Sequence, residues 1–174
     1  IGVVVPAYNE DLLIGETLSG MPGYVDMVFV INDASEDNTA GIVRDMAEKD
    51  GRIVLIDHQL NKGLGQSLVD GYLASCDSDV DITAVMAGDN QMHPDDLSSL
   101  LDKIIDEGCD YVKGNRLLHR DVRDSMPRYR FLGNALLTIL SKFATGYFSL
   151  MDPQCGYTAI RNSVLKMIPI AGMT

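Results

Sequence analysis

An excess of positive charge is missing from this chain: 14 lysine and arginine residues stand against 25 aspartate and glutamate, a formal charge of −11. Without a basic excess to replace phosphate counterions, non-specific nucleic-acid binding is excluded, although a locally basic pocket is not. Cysteine is scarce as well. Cys76, Cys109 and Cys155 are odd in number, widely spaced and without a CxxC pair. A zinc site or disulfide framework is therefore not expected, and a reducing, cytoplasmic setting is. No apolar run reaches the roughly 18 residues that would span a membrane, and no signal peptide is visible. The chain opens at Ile1 inside an apolar run and stops at Thr174 without a natural ending. We expect a piece of a longer protein, so the missing membrane segment carries no weight. Low-complexity tracts and internal repeats are absent too. His58, His93 and His119 lack ligand spacing and are read as non-catalytic, and the nine methionines as core filler.

What is present fits one domain: 174 residues with 46% hydrophobic content, enough for a real core. Short apolar runs at 1–5, 27–31, 53–56, 82–86 and 111–113 read as strands covered on both faces. Pro6 is expected to end the first. Helical stretches near 12–18, 39–49, 66–75 and 94–107 alternate with them, which predicts a mostly parallel α/β sheet. In such sheets ligands sit beyond the carboxyl ends of the strands. The unusual polar residues all lie in strand-to-helix loops, so they should gather at one edge.

The loop after the fourth run, Ala87-Gly88-Asp89-Asn90-Gln91, carries a carboxylate and a carboxamide two residues apart. Oxygen donors there, with Gly88 permitting close approach, suit a hard divalent cation that also holds a diphosphate. A polar turn leading into a capped helix is the plain alternative. From 116 to 130 the chain carries Arg116, Arg120, Arg123, Arg128 and Arg130, either a solvated basic loop or a phosphate site, since arginine suits bidentate phosphate binding. The stretch 131–150 has one charge, Lys142. Core packing is its favoured reading, and a membrane-interface helix presenting a lipid phosphate is the other. Residues 151–157 read as a turn into a short strand, with a final helical turn or two over 163–168; Asp152 in that turn, flanked by Pro153 and Gly156, is either a turn cap or a base.

Together these segments resemble family 2 glycosyltransferases of the GT-A fold, and within them the dolichol-phosphate mannosyltransferase type. The resemblance rests on Val4-Val5-Pro6-Ala7-Tyr8-Asn9-Glu10, Asn32-Asp33-Ala34-Ser35-Glu36-Asp37-Asn38-Thr39, Asn61-Lys62-Gly63-Leu64-Gly65, Gly88-Asp89-Asn90-Gln91, Gly114-Asn115-Arg116 and Asp152-Pro153-Gln154-Cys155-Gly156-Tyr157, six motifs in order. It implies a single GT-A domain over 1–174 that moves a hexose, with inversion, from a GDP- or UDP-sugar to a polyprenyl phosphate at the cytoplasmic face of a membrane. Pro6, Ala7, Tyr8 and Glu10 would hold the base and ribose, Asp33 would touch base or ribose, and Lys62 would lie near the nucleotide. Asp89 and Gln91, after Gly88, would hold Mg²⁺ or Mn²⁺, Arg116 and Arg130 would meet the acceptor phosphate, and Asp152 would sit beside the acceptor. A lipid monophosphate is already largely ionised, with a second pKa of about 6, so it needs positioning more than deprotonation. Two departures stand out: Asn32 replaces a usual acidic residue, and Ala87 the first aspartate of a usual Asp-x-Asp pair. The lost charge at Ala87 should weaken metal affinity. Transfer to a saccharide hydroxyl and a degenerate nucleotide-sugar-binding module are the rival readings.

Overall fold

The computed structural model describes residues 1–88, 96–114 and 155–170, together with 133, 137, 138, 140, 142–144 and 146. They fall in two compact units, 1–112 with 157–174, and 113–156. The first unit is built on strands β1 (Gly2–Ala7), β2 (Met27–Asn32), β3 (Ile53–Asp57), β4 (Ile82–Val85), β5 (Tyr111–Lys113) and β6 (Thr158–Arg161). Helices α1 (Ile14–Ser19), α2 (Thr39–Ala47), α3 (Gly63–Asp77), α4 (Leu97–Ile105) and the single turn α5 (Asn162–Leu165) accompany them. The sheet order is β3-β2-β1-β4-β6-β5. Strands β1 to β4 pair in parallel, and β6 runs antiparallel to β4. The α/β class expected from the sequence is the one observed, and β6 is the short strand expected after 157.

Val3, Val4 and Val5 are wholly buried, as are Val30 and Ile31, which is why these runs lack polar alternation. Val4, Phe29, Ile31 and Val85 form one core cluster, with Leu68 and Tyr72 of α3 packed against it. The approach is close: a Cβ on Gly71 would lie 2.3 Å from Val4 Cγ1. Helix α4 buries Leu97, Leu100, Leu101 and Ile104, the i, i+3, i+4, i+7 stripe of a one-sided helix.

Two boundaries differ from the sequence pattern for identifiable reasons. Pro6 does not end β1, which continues to Ala7 in register with Asn32. The carbonyls of Val4 and Pro6 accept N–H groups of Met86 and Gly88 on the β4 side. The absent Pro6 N–H therefore faces the edge where β4 has already ended, and no ladder bond is lost. Helix α3 begins at Gly63 rather than Gln66, because a carboxylate from another strand satisfies its opening N–H groups, as described below.

In the second unit, positions 133, 137, 138, 140 and 142–144 are helical. Leu137, Leu140 and Phe143 there are exposed, so at these positions the low charge of 131–150 does not reflect burial. Among the described residues, no helix is long and apolar enough to cross a membrane.

Candidate nucleotide site

The sheet reverses its strand order at β1, which has β2 on one side and β4 on the other. This is where an open α/β sheet leaves a crevice beyond its carboxyl ends. A cavity of about 430 Å³ lies there, lined by Pro6, Ala7, Tyr8, Glu10, Asp33, Asn61, Gly63, Leu64, Ser67, Ala87 and Gly88. Tyr8 and Leu64 are 46% and 65% exposed and offer apolar surface to a planar ligand.

The loops around it are stitched together by side chains. After β1 the backbone passes through Asn9 at φ 56°, a left-handed conformation that asparagine tolerates. Asn9 Oδ1 accepts the Glu36 N–H at 2.9 Å, and the Asn9 N–H donates to Ser35 Oγ at 3.0 Å. The Glu10 N–H donates to Thr39 Oγ1 at 2.8 Å, and the Asp11 N–H to Asp37 Oδ2 at 3.1 Å. Burial pushes the Asp37 carboxyl up, but hydrogen bonds from Thr39 and Asp11 outweigh it and hold the group below the usual carboxylate range. Polar residues of the first two motifs are thus the fasteners that shape the pocket wall.

Asp33, at the end of β2, is nearly buried. Its Oδ1 accepts the Lys62 N–H and faces His58 Nδ1, both at 2.8 Å, while Oδ2 accepts the Gly63 N–H at 2.7 Å. Burial raises the affinity of this carboxyl for a proton. The His58 and backbone hydrogen bonds more than offset that, so Asp33 titrates below the ordinary range. It supplies negative charge to the start of α3, where the helix dipole favours it. Gly63 enters the helix at φ +83°, a conformation that suits glycine.

At the end of β4, the Thr17 hydroxyl donates to the Gly88 carbonyl at 3.2 Å, and the Gly88 N–H donates to the Pro6 carbonyl at 3.4 Å. A Cβ on Gly88 would meet Ile14 Cδ1 at 3.0 Å. The turn that leads to Asp89 is therefore fixed at its root, and glycine is what fits there.

Of the residues singled out in the sequence, Pro6, Ala7, Tyr8, Glu10, Asp33 and Gly88 come together on this cavity. Lys62 is not in the lining; its Nζ lies 3.3 Å from Asp70 Oδ2. Asp89, Gln91, Arg116, Arg130 and Asp152 lie outside the described residues. Asn32 donates from Nδ2 to Asp57 Oδ1 at 2.7 Å, and Arg44 Nη2 pairs with Asp57 Oδ2 at 2.6 Å. An aspartate at 32 would set two carboxylates against each other, which the Nδ2 of the amide avoids, while its buried Oδ1 has no hydrogen-bond partner among the described residues. In the sequence His58 was read only as non-catalytic and Asp70 was not singled out; no spacing pattern joins them to Asp33.

A family model, glycosyl transferase family 2, matches residues 2–168. The chain belongs to that family. Over 97% of its length it is 27% identical to the UDP-N-acetylglucosamine–dolichyl-phosphate N-acetylglucosaminyltransferase of Methanococcus voltae, and covers 72% of that protein. Over 98% it is 27% identical to the polyprenol monophosphomannose synthase of Mycolicibacterium smegmatis, covering 65% of that one. The mannosyltransferase PcManGT of Pyrobaculum calidifontis, solved with GDP-mannose and Mn²⁺, superposes with a TM-score of 0.65 at 21% identity, over 97% of this chain and 46% of its own. The fold is that of the GT-A glycosyltransferases.

Proposed function

We propose that this chain moves a hexose, with inversion, from a GDP- or UDP-sugar to a polyprenyl phosphate at the cytoplasmic face of a membrane. The observation that carries the donor half is the cavity between the ends of β1 and β4, walled by Tyr8, Glu10 and Asp33. The two relatives, whose names give dolichyl-phosphate and polyprenol acceptors, support the acceptor half.

In this reading Pro6, Ala7, Tyr8 and Glu10 seat base and ribose, with Asp33 behind them. Three hydrogen bonds occupy the Asp33 carboxylate, which leaves about one of its roughly four lone-pair sites for a ligand N–H or O–H. The close-packed Gly88 suits a turn whose Asp89 and Gln91 bring oxygen donors to the sugar diphosphate, and hard oxygen donors suit Mg²⁺ or Mn²⁺. Such an ion would stabilise the charge on the departing diphosphate as a Lewis acid. Arg116 and Arg130 hold the acceptor phosphate, and Asp152 orients it. Exposed Leu137, Leu140 and Phe143 favour peripheral contact with a lipid surface over a purely aqueous setting.

Calorimetric titration of UDP and GDP, each with Mn²⁺ and with EDTA, tests the donor site. Tight, metal-dependent binding of one of them is expected, and Asp89→Ala should abolish sugar transfer to a polyprenyl phosphate while leaving the melting temperature unchanged. Normal transfer by that variant would overturn the role of Asp89. Metal-independent binding without transfer would favour the binding module.

A further inference from the structure

Behind the cavity wall, His58 is enclosed between two carboxylates. It follows β3, and only 4% of its side chain is exposed. Its Nδ1 lies 2.8 Å from Asp33 Oδ1 and its Nε2 2.9 Å from Asp70 Oδ2. Asp70, on α3, also accepts from Gln66 Nε2 at 2.8 Å and from Lys62 Nζ at 3.3 Å. Both carboxyls are held below their ordinary range. In each, burial acts upward and hydrogen bonds outweigh it: His58 and the Lys62 and Gly63 N–H groups at Asp33, and Gln66, Lys62 and His58 at Asp70. Ionised carboxylates only accept, so the ring can satisfy both contacts at once only with a proton on each nitrogen. A neutral imidazole satisfies one partner and sets a lone pair against the other.

We propose that His58 is a positioning residue for the nucleotide pocket, and that Asp33, His58 and Asp70 act as one braced unit. The ring fixes which way Asp33 presents its remaining acceptor, and the same carboxylate holds the first N–H groups of α3. Wall and helix start are therefore set together. This role rests on the cavity being the nucleotide site.

The test combines imidazole nitrogen NMR of the whole chain with nucleotide affinity. In the wild-type protein both His58 ring nitrogens should show protonated signals, and saturating UDP or GDP should shift them. His58→Gln, which restores one donor, and Asp70→Asn should each bind nucleotide about tenfold more weakly, the scale of one charge-assisted hydrogen bond. His58→Leu should bind more weakly still. Affinities are read below each variant's melting transition, so a stability loss does not count as a binding loss. If His58→Leu fails to fold, the ring signals and the Asp70→Asn affinity decide the matter. A ring nitrogen without its proton in the wild type overturns the brace. So does wild-type affinity in His58→Gln and Asp70→Asn. Wild-type protein that binds neither nucleotide sinks the assignment of the cavity, and the role of His58 with it.

Discussion

The two ends of α3 hold polar clusters of opposite kinds, each with a buried centre. Its amino end meets Asp33, His58, Lys62 and Asp70, all ionisable, beside the cavity. Toward its carboxyl end, Ser75 meets Thr83 and Asn162, all neutral. Asn162 Nδ2 donates to the Val80 carbonyl at 2.8 Å and the Ser75 carbonyl at 3.2 Å, and its Oδ1 accepts from the Thr83 hydroxyl. The neutral knot ties β4, α3 and the start of α5 and asks nothing of a ligand. The charged cluster costs more desolvation, because burying ions is dearer than burying amides and hydroxyls. A fold has no need to place ions at one end when neutral groups serve at the other. The charge is best understood as serving the cavity.

Gly71 lies on α3 between the two clusters and offers the severest way to disturb both. Val4 is fully buried in the central strand and cannot step aside for a Cβ placed 2.3 Å from its methyl. Gly71→Ala should therefore lift the helix and cost about 3 kcal/mol, the upper range for overpacking. Denaturant unfolding measures the loss. Nucleotide affinity should fall as well, because the helix carries Asp70 and the Gly63 N–H with it. Unchanged affinity would mean that the amino end of α3 is held independently of its middle.

Asn162→Ala separates the two ends. It leaves the Val80 carbonyl and the Thr83 hydroxyl short of a buried partner, which should cost about 2 kcal/mol. Nucleotide affinity should stay at the wild-type value, measured by calorimetry on folded protein. Weakened binding would contradict the division between a structural end and a functional end.

How far the sequence foretold this depends on whether the cause of each feature is local. Strands β1 to β5 are legible because continuous burial leaves continuous apolar runs. The pocket loops are legible through their motifs, although Asn9, Ser35, Asp37 and Thr39 turn out to fasten one loop to another. The start of α3 was hidden because its stabilising carboxylate, Asp33, is 30 residues away from Gly63. The short strand β6 was legible after its turn, but its antiparallel place beside β4 was not, because that follows from tertiary contacts, among them the Asn162 knot. His58 was hidden for the same reason as Asp70: a lone histidine in sequence becomes informative only once two carboxylates close on it. Asn32 looked like a lost carboxylate until Asp57 and Arg44 supplied its reason.

Acid should distinguish the clusters most finely. Asp33 has its carboxyl pulled down in the folded state, so the native protein binds that proton less readily than the unfolded chain does. The stabilisation this brings is fully present above the ordinary aspartate value, about 3.9, and drains away as pH falls through the folded value. Asp33→Asn places an amide against N–H donors at 62, 63 and 58, so it should be less stable than wild type at pH 7. Below about pH 4 the two proteins should converge, since wild type loses a contribution the variant never had. The gap between wild type and Asn162→Ala has no ionisable member, and should stay level over the same range. Urea titrations at several pH values measure both gaps. A gap for Asp33→Asn that is equally level would show that its carboxylate contributes through shape alone, and the contrast between the two ends of α3 would lose its electrostatic basis.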